Sequence, residues 1–109
     1  NLEEIPLYVT NLKIYLDNHF QEKITLDRLE DRFHINKYQL NKEFSRYIGI
    51  PPIEYLITLK ISYAKDLLRY SDATIQSISA SIGVDNFAYF SRLFKSRTGM
   101  SPSFYRKQG

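Results

Sequence analysis

The sequence predicts an all-α fold of about seven helices. Three observations lead there. Apolar residues recur at helical spacing, with no strict alternation and no Asn-Gly or Asp-Gly hairpin signal. Gly49, Gly83 and Gly99 each follow such a stretch, where a residue without a Cβ ends a helix in the left-handed conformation. Pro52 and Pro102 stand where first helical turns begin.

The first helix is expected at about Leu7–Phe20, with Val9, Leu12, Tyr15, Leu16 and Phe20 as its apolar stripe. Thr25 caps a second helix carrying Leu26, Leu29 and Phe33. A third starts near Asn36 and stops before Gly49. The fourth and longest, about Pro52–Tyr70, places Ile53, Leu56, Ile57, Ile61, Ala64, Leu67 and Leu68 at helical steps. Thr74 opens a fifth with Ile75, Ile78 and Ile82. A sixth spans about Asn86–Thr98, and Ser101 caps a short seventh.

At 109 residues the chain has room for one compact domain and none for a separate catalytic one. It opens at Asn1 without Met and reads as a segment of a longer protein. Its 43% hydrophobic and 25% charged residues separate it from disordered tails. The absence of Cys excludes disulfides and thiolate metal sites. The longest apolar stretch, around Tyr55–Leu59, falls far short of the roughly 18 residues of a membrane span, so we read the chain as soluble and cytoplasmic. The net charge of +3 is uneven. Residues 1–36 carry four basic against seven acidic side chains, and residues 37–109 carry eleven against five. A displaced positive charge is the footprint of a polyanion binder.

The chain also repeats itself. Leu40/Phe90, Phe44/Phe94, Gly49/Gly99, Pro52/Pro102 and Tyr55/Tyr105 are offset by 50. Upstream, Leu26/Ile75, Leu29/Ile78, Phe33/Ile82 and Ile35/Val84 are offset by 49, so the second copy holds one inserted residue. Each copy is a short helix, a tight turn and a longer helix, which is a helix-turn-helix written twice. We expect a first subdomain over residues 7–51, a connecting helix over 52–71 and a second subdomain over 72–109.

The longer helix of each copy leaves a polar face outward. In the first, Leu40, Phe44, Tyr47 and Ile48 form the inward stripe, leaving Tyr38, Asn41, Lys42 and Ser45 outside, with Glu43 off that stripe. In the second, Phe90 and Phe94 point inward and leave Ala88, Ser91, Arg92 and Lys95. Both outward stripes lack carboxylates. Asn can pair twofold with adenine, Arg or Lys with guanine O6 and N7, and Ala can touch a thymine methyl. A connecting helix of about 20 residues is roughly 30 Å long, close to the roughly 34 Å between successive major grooves on one side of B-DNA. Double-stranded DNA is the expected partner.

The segments Ile75-x-x-Ile78-Ser79, Ile82-Gly83-Val84, Tyr89-Phe90-Ser91-Arg92-Leu93-Phe94-Lys95, Thr98-Gly99-Met100-Ser101-Pro102 and Phe104-Tyr105-Arg106 resemble the signature of the AraC/XylS family. Leu40-Asn41-Lys42-Glu43-Phe44, Gly49 and the run Lys60–Leu68 are similar to its first unit and connecting helix. The resemblance covers about Ile24–Arg106. It implies two homeodomain-like helix-turn-helix units in adjacent major grooves, as the DNA-binding part of a bacterial transcription regulator with an effector or receiver domain elsewhere. Carried over residue by residue, it implies base contacts at Tyr38, Gln39, Asn41 and Lys42, and at Ala88, Tyr89, Ser91 and Arg92. Phosphate contacts fall on Lys37, Ser45, Arg46, Asn86 and Lys95. Glu30 and Ser79 depart from the usual Ala, Val84 from Phe and Asn36 from Ser.

Nothing in the pattern calls for a metal or cofactor. His19 and His34 lie far apart with no carboxylate at ligand spacing, and His34 is expected in the first turn. No phosphate-cradling glycine loop or nucleophile elbow is written, so no enzyme is expected. Tyr15, Tyr47, Tyr55, Tyr63 and Tyr105 fall mainly in core stripes. The alternative reading is a helical protein-interaction module, with Glu3, Glu4, Asp17, Glu22, Asp27, Glu30 and Asp31 docking to a partner domain or RNA polymerase.

Overall fold

The computed structural model describes residues 4–109, and the described residues form seven helices and no strand. They are α1 (Leu7–His19), α2 (Leu26–Phe33), α3 (Lys37–Ile48), α4 (Pro52–Tyr70), α5 (Ile75–Ser81), α6 (Phe87–Thr98) and α7 (Pro102–Gln108). The all-α expectation holds, and each boundary falls within about a residue of its sequence signal. The caps give the reason. Thr25 Oγ1 accepts from Arg28 N at 3.2 Å, Thr74 Oγ1 from Ser77 N at 3.0 Å and Ser101 Oγ from Phe104 N at 3.2 Å. Each satisfies an amide that has no partner inside its helix.

The helices form two compact units. The first comprises residues 4–20 and Ile24–Ile57, and the second Gln21–Lys23 with Thr58–Gly109. The division runs through α4, which contributes its first turns to one unit and its remainder to the other.

In the first unit Val9, Leu12 and Leu16 of α1, Leu29 of α2, Leu40 and Phe44 of α3 and Leu56 of α4 are buried. Tyr55 meets Phe44 edge-on, with centroids 5.7 Å apart, and its hydroxyl donates to Asp17 Oδ1 at 2.5 Å. That bond lets a half-buried tyrosine keep its polar end satisfied. The second unit repeats the scheme with Ile61, Ala64, Leu68, Ile78, Ile82, Phe90 and Phe94 buried. Tyr105 meets Phe94 edge-on at 5.4 Å, the counterpart of Tyr55 on Phe44. Arg106 closes the end of α4 by donating to the carbonyls of Leu68 at 3.0 Å and Ser71 at 3.1 Å. A cation there satisfies carbonyls the helix leaves open and complements its dipole.

Candidate nucleic-acid interface

Each unit contains a short helix, a tight turn and a longer helix whose first turn is solvent-exposed. In the first unit α2 ends at His34, which adopts the left-handed conformation with φ 57°, and its amide donates to Glu30 O at 2.8 Å. Asn36 then caps α3, its Oδ1 accepting from Tyr38 N at 2.9 Å. In the second, Gly83 has φ 78°, Val84 N donates to Ser79 O at 2.9 Å, and Asn86 Oδ1 accepts from Tyr89 N at 3.0 Å. The inserted residue of the second copy therefore falls between turn and cap. Both longer helices start on an Asn cap, whose side chain satisfies first-turn amides.

The second turn is built from more than its own residues. Ser79 is fully buried and its hydroxyl donates to the carbonyl of Val84, fixing the loop across its mouth. Alanine at that position would lack this bond. Lys60 of α4 is 6% exposed and donates to Glu22 O at 2.9 Å and to Ile82 O. Burial pushes its ammonium down from the ordinary 10.5 to about 8. A Cβ on Gly83 would lie 2.6 Å from the carbonyl oxygen of Gln21. Lys23 pairs with Asp85 across the same stretch.

On α3, Tyr38 is 75% exposed, Gln39 and Lys42 are exposed, and Asn41 is half-buried. On α6, Ala88, Tyr89 and Arg92 are exposed and Ser91 half-buried. Phe87, at the start of α6, is a further aromatic at this surface, 46% exposed. Several residues are already engaged. Lys37 Nζ lies 2.7 Å from Asp27 Oδ1, which holds the ammonium above its ordinary range. Ser45 Oγ donates to Asn41 O at 2.7 Å, and Arg46 lies over the Tyr47 ring at 5.5 Å. Lys95 is exposed in the last turns of α6.

Beside the expected stripe of Tyr38, Asn41, Lys42 and Ser45 lies a carboxylate. Glu43 shares a surface pocket with Tyr38, Gln39, Lys42 and Arg46, so this part of the first unit's surface does contain a carboxylate. It lies one turn after Gln39, and Gln39 Nε2 donates to its Oε1 at 3.3 Å. Tyr8 of α1 donates to the same oxygen. Burial raises the Tyr8 phenol above its ordinary range, and the Glu43 bond adds to the shift. Of the acids weighed as a docking surface, Asp17 and Asp27 accept from Tyr55 and Lys37 respectively, and Glu3 lies outside the described residues.

A family profile described as a helix-turn-helix domain matches residues 29–108, most of the chain and both repeats. The chain belongs to the AraC-type helix-turn-helix family. The function of its tandem helix-turn-helix units is DNA binding. Among AraC-type relatives, the MmsAB operon regulatory protein of Pseudomonas aeruginosa is 34% identical over 98% of this chain and 35% of its own length. The C-terminal domain of AraT, a response regulator from Geobacillus stearothermophilus, superposes with a TM-score of 0.92 at 26% identity, covering 98% of this chain and 89% of that one. The DNA-binding domain of AdpA, solved in complex with a target DNA, superposes at 0.85 with 22% identity over 92% of this chain and 90% of that one. This last likeness is one of fold. The chain spans about a third of the length of the MmsAB regulator, and no helix among the described AraC-type residues is long and apolar enough to cross a membrane.

The sequence reasoning missed Lys60, Tyr8 and the Glu43–Gln39 bond as parts of this AraC-type site. Lys60 carried a signal. It sits in the four-step register Leu56, Lys60, Ala64, Leu68, whose other members are all buried. A lysine in an apolar stripe needs a local acceptor.

Proposed function

We propose that α3 and α6 are recognition helices that read double-stranded DNA in adjacent major grooves. Tyr38, Gln39, Asn41 and Lys42 face the base edges of one half-site, and Ala88, Tyr89, Ser91 and Arg92 those of the other. Lys37, Ser45, Arg46, Asn86 and Lys95, together with the amides at the helix starts, position the sugar-phosphate backbone. The observation that carries this reading is the same construction built twice. A left-handed turn leads in each unit to an Asn-capped helix with an exposed first turn of uncharged, cationic and aromatic side chains. The 19 residues of α4 make it about 28 Å long, which suits half-sites about one helical turn apart. In this reading residues 7–51 and 72–109 are the two reading units and residues 52–71 connect them.

The full regulator, in the same proposal, is a bacterial cytoplasmic protein carrying an effector or receiver domain beyond this chain, with RNA polymerase as a further partner. The description of AraT as a response regulator and the length of the MmsAB regulator support that arrangement. No cofactor and no catalytic step is assigned to this domain.

Selecting bound duplexes from a random pool tests the proposal. The two outward faces differ in every base-facing residue, so the expected product is a non-palindromic site with two unlike half-sites about one turn apart. Enrichment of inverted repeats bound by two copies, or of no sequence at all, overturns it.

A further inference from the structure

We infer that Tyr8 and Glu43 are positioning residues that fix the amide of Gln39 for adenine. The inference rests on the proposed role of α3 as a recognition helix. A carboxylate only accepts hydrogen bonds, so the face of the Gln39 amide turned toward Glu43 is its NH2 group, at 3.3 Å. The carbonyl Oε1 is thereby turned away from Glu43. The second N–H of the same nitrogen stays available.

Adenine presents an N7 acceptor and an N6 donor in the major groove, which is the complement of one N–H beside one C=O. Guanine presents two acceptors there, N7 and O6, and would set O6 against Oε1. A freely rotating glutamine can instead turn its NH2 group alone onto guanine, donating to N7 and O6 with its carbonyl swung away. One held by Glu43 has an N–H committed to the carboxylate and does so only by breaking that bond.

Glu43 is in turn held by α1. It is half-buried, and Tyr8, also half-buried, donates to the oxygen that Gln39 uses. The carboxylate therefore has a fixed direction, set from a helix outside the helix-turn-helix pair. The result is a chain of three side chains, Tyr8 to Glu43 to Gln39, from the core edge of the first unit to its reading surface. Preorganised side chains lose less freedom on binding and discriminate more sharply.

The test measures the base preference of the domain, position by position on its selected duplex, for wild type, Tyr8→Phe, Glu43→Gln, Gln39→Ala and Tyr8→Phe with Gln39→Ala. Wild type is expected to favour adenine at one position of the first half-site. Gln39→Ala is expected to lower that preference by about fivefold or more, the lower range of a bidentate contact. Tyr8→Phe and Glu43→Gln are expected to lower it several-fold, mainly by admitting guanine, while the second half-site keeps its profile. In the Gln39→Ala background Tyr8→Phe is expected to change the preference no further.

Wild-type preference in both Tyr8→Phe and Glu43→Gln overturns the inference, as does an equal loss at every position of both half-sites, which is the mark of a folding defect. Absence of any base preference in wild type removes the reading on which the inference rests. These outcomes are distinguishable in one data set.

Discussion

His34 and Gly83 hold the same left-handed backbone conformation, φ 57° and φ 78°, at the same turn of the two helix-turn-helix units. The 49-residue offset that relates Phe33 to Ile82 also relates these two. One copy meets the turn with glycine and the other with a side chain that carries a Cβ penalty. The reason for the glycine is local. In the second unit the carbonyl oxygen of Gln21 occupies the space a Cβ would need, at 2.6 Å.

Substitutions at these positions are therefore expected to differ in size and sign. His34→Gly relieves the left-handed strain and should stabilise the domain by about 0.5–1 kcal/mol. Gly99→Ala, where no atom lies within 4 Å of the added carbon, should cost about 1 kcal/mol. Gly83→Ala combines the same strain with a collision against main chain, and should cost more than about 2 kcal/mol. Urea denaturation of the three variants checks the order.

The domain should become more stable as pH rises from about 8 toward 10, because of Lys60. Its folded value, about 8, lies below the ordinary 10.5. Below pH 8 both folded and unfolded chains hold the proton, so the cost of burying the ammonium is fully present. Between the two values the unfolded chain binds a proton that the folded chain has released, and stability rises with pH. Tyr8 and Tyr55 act oppositely above pH 10. Burial and their carboxylate partners raise both, so the unfolded phenols ionise first and stability falls. Melting temperatures between pH 7.5 and 9.5 should show the rise in wild type. Lys60→Met should lack it.

Arg92 and Lys95 should separate base reading from phosphate positioning. Arg92 is exposed on α6, on the face proposed to read bases, and a guanidinium can donate two parallel bonds to guanine. Arg92→Ala should cost about 1–3 kcal/mol on the selected site and relax preference at one base pair. Lys95 lies nearly one turn further from the start of α6. Lys95→Ala should weaken specific and nonspecific duplexes alike and lower the salt slope by about one. Binding isotherms at several salt concentrations, on the selected site and its single-base variants, distinguish the two.

The elements were legible in the sequence because local chemistry decides them. Thr25, Asn36, Thr74, Asn86 and Ser101 lie at helix starts and cap them, and Gly49 and Gly99 end the helices that precede them. The core was legible for a similar reason: Phe44 and Phe94 with Tyr55 and Tyr105 recur at one fixed offset and pack alike. The interactions that tie one element to a distant one were not. Tyr8 reaches Glu43 across 35 residues and Lys60 reaches Glu22 across 38, distances at which periodicity carries no information. The engagement of Lys37 by Asp27 has the same origin, since only the packing of α2 beside α3 brings them together.

Interference by 7-deazapurines asks whether two recognition helices read two major-groove surfaces. Replacing a purine N7 by carbon removes a major-groove acceptor and leaves the minor groove unchanged. On the selected duplex, loss of binding is expected from substitutions in two clusters, centred about 10 base pairs apart. The upstream cluster should respond to changes in one helix and the other cluster to changes in the second, with Arg92→Ala silencing a position in only one of them. A single cluster, or binding indifferent to every N7, would contradict it.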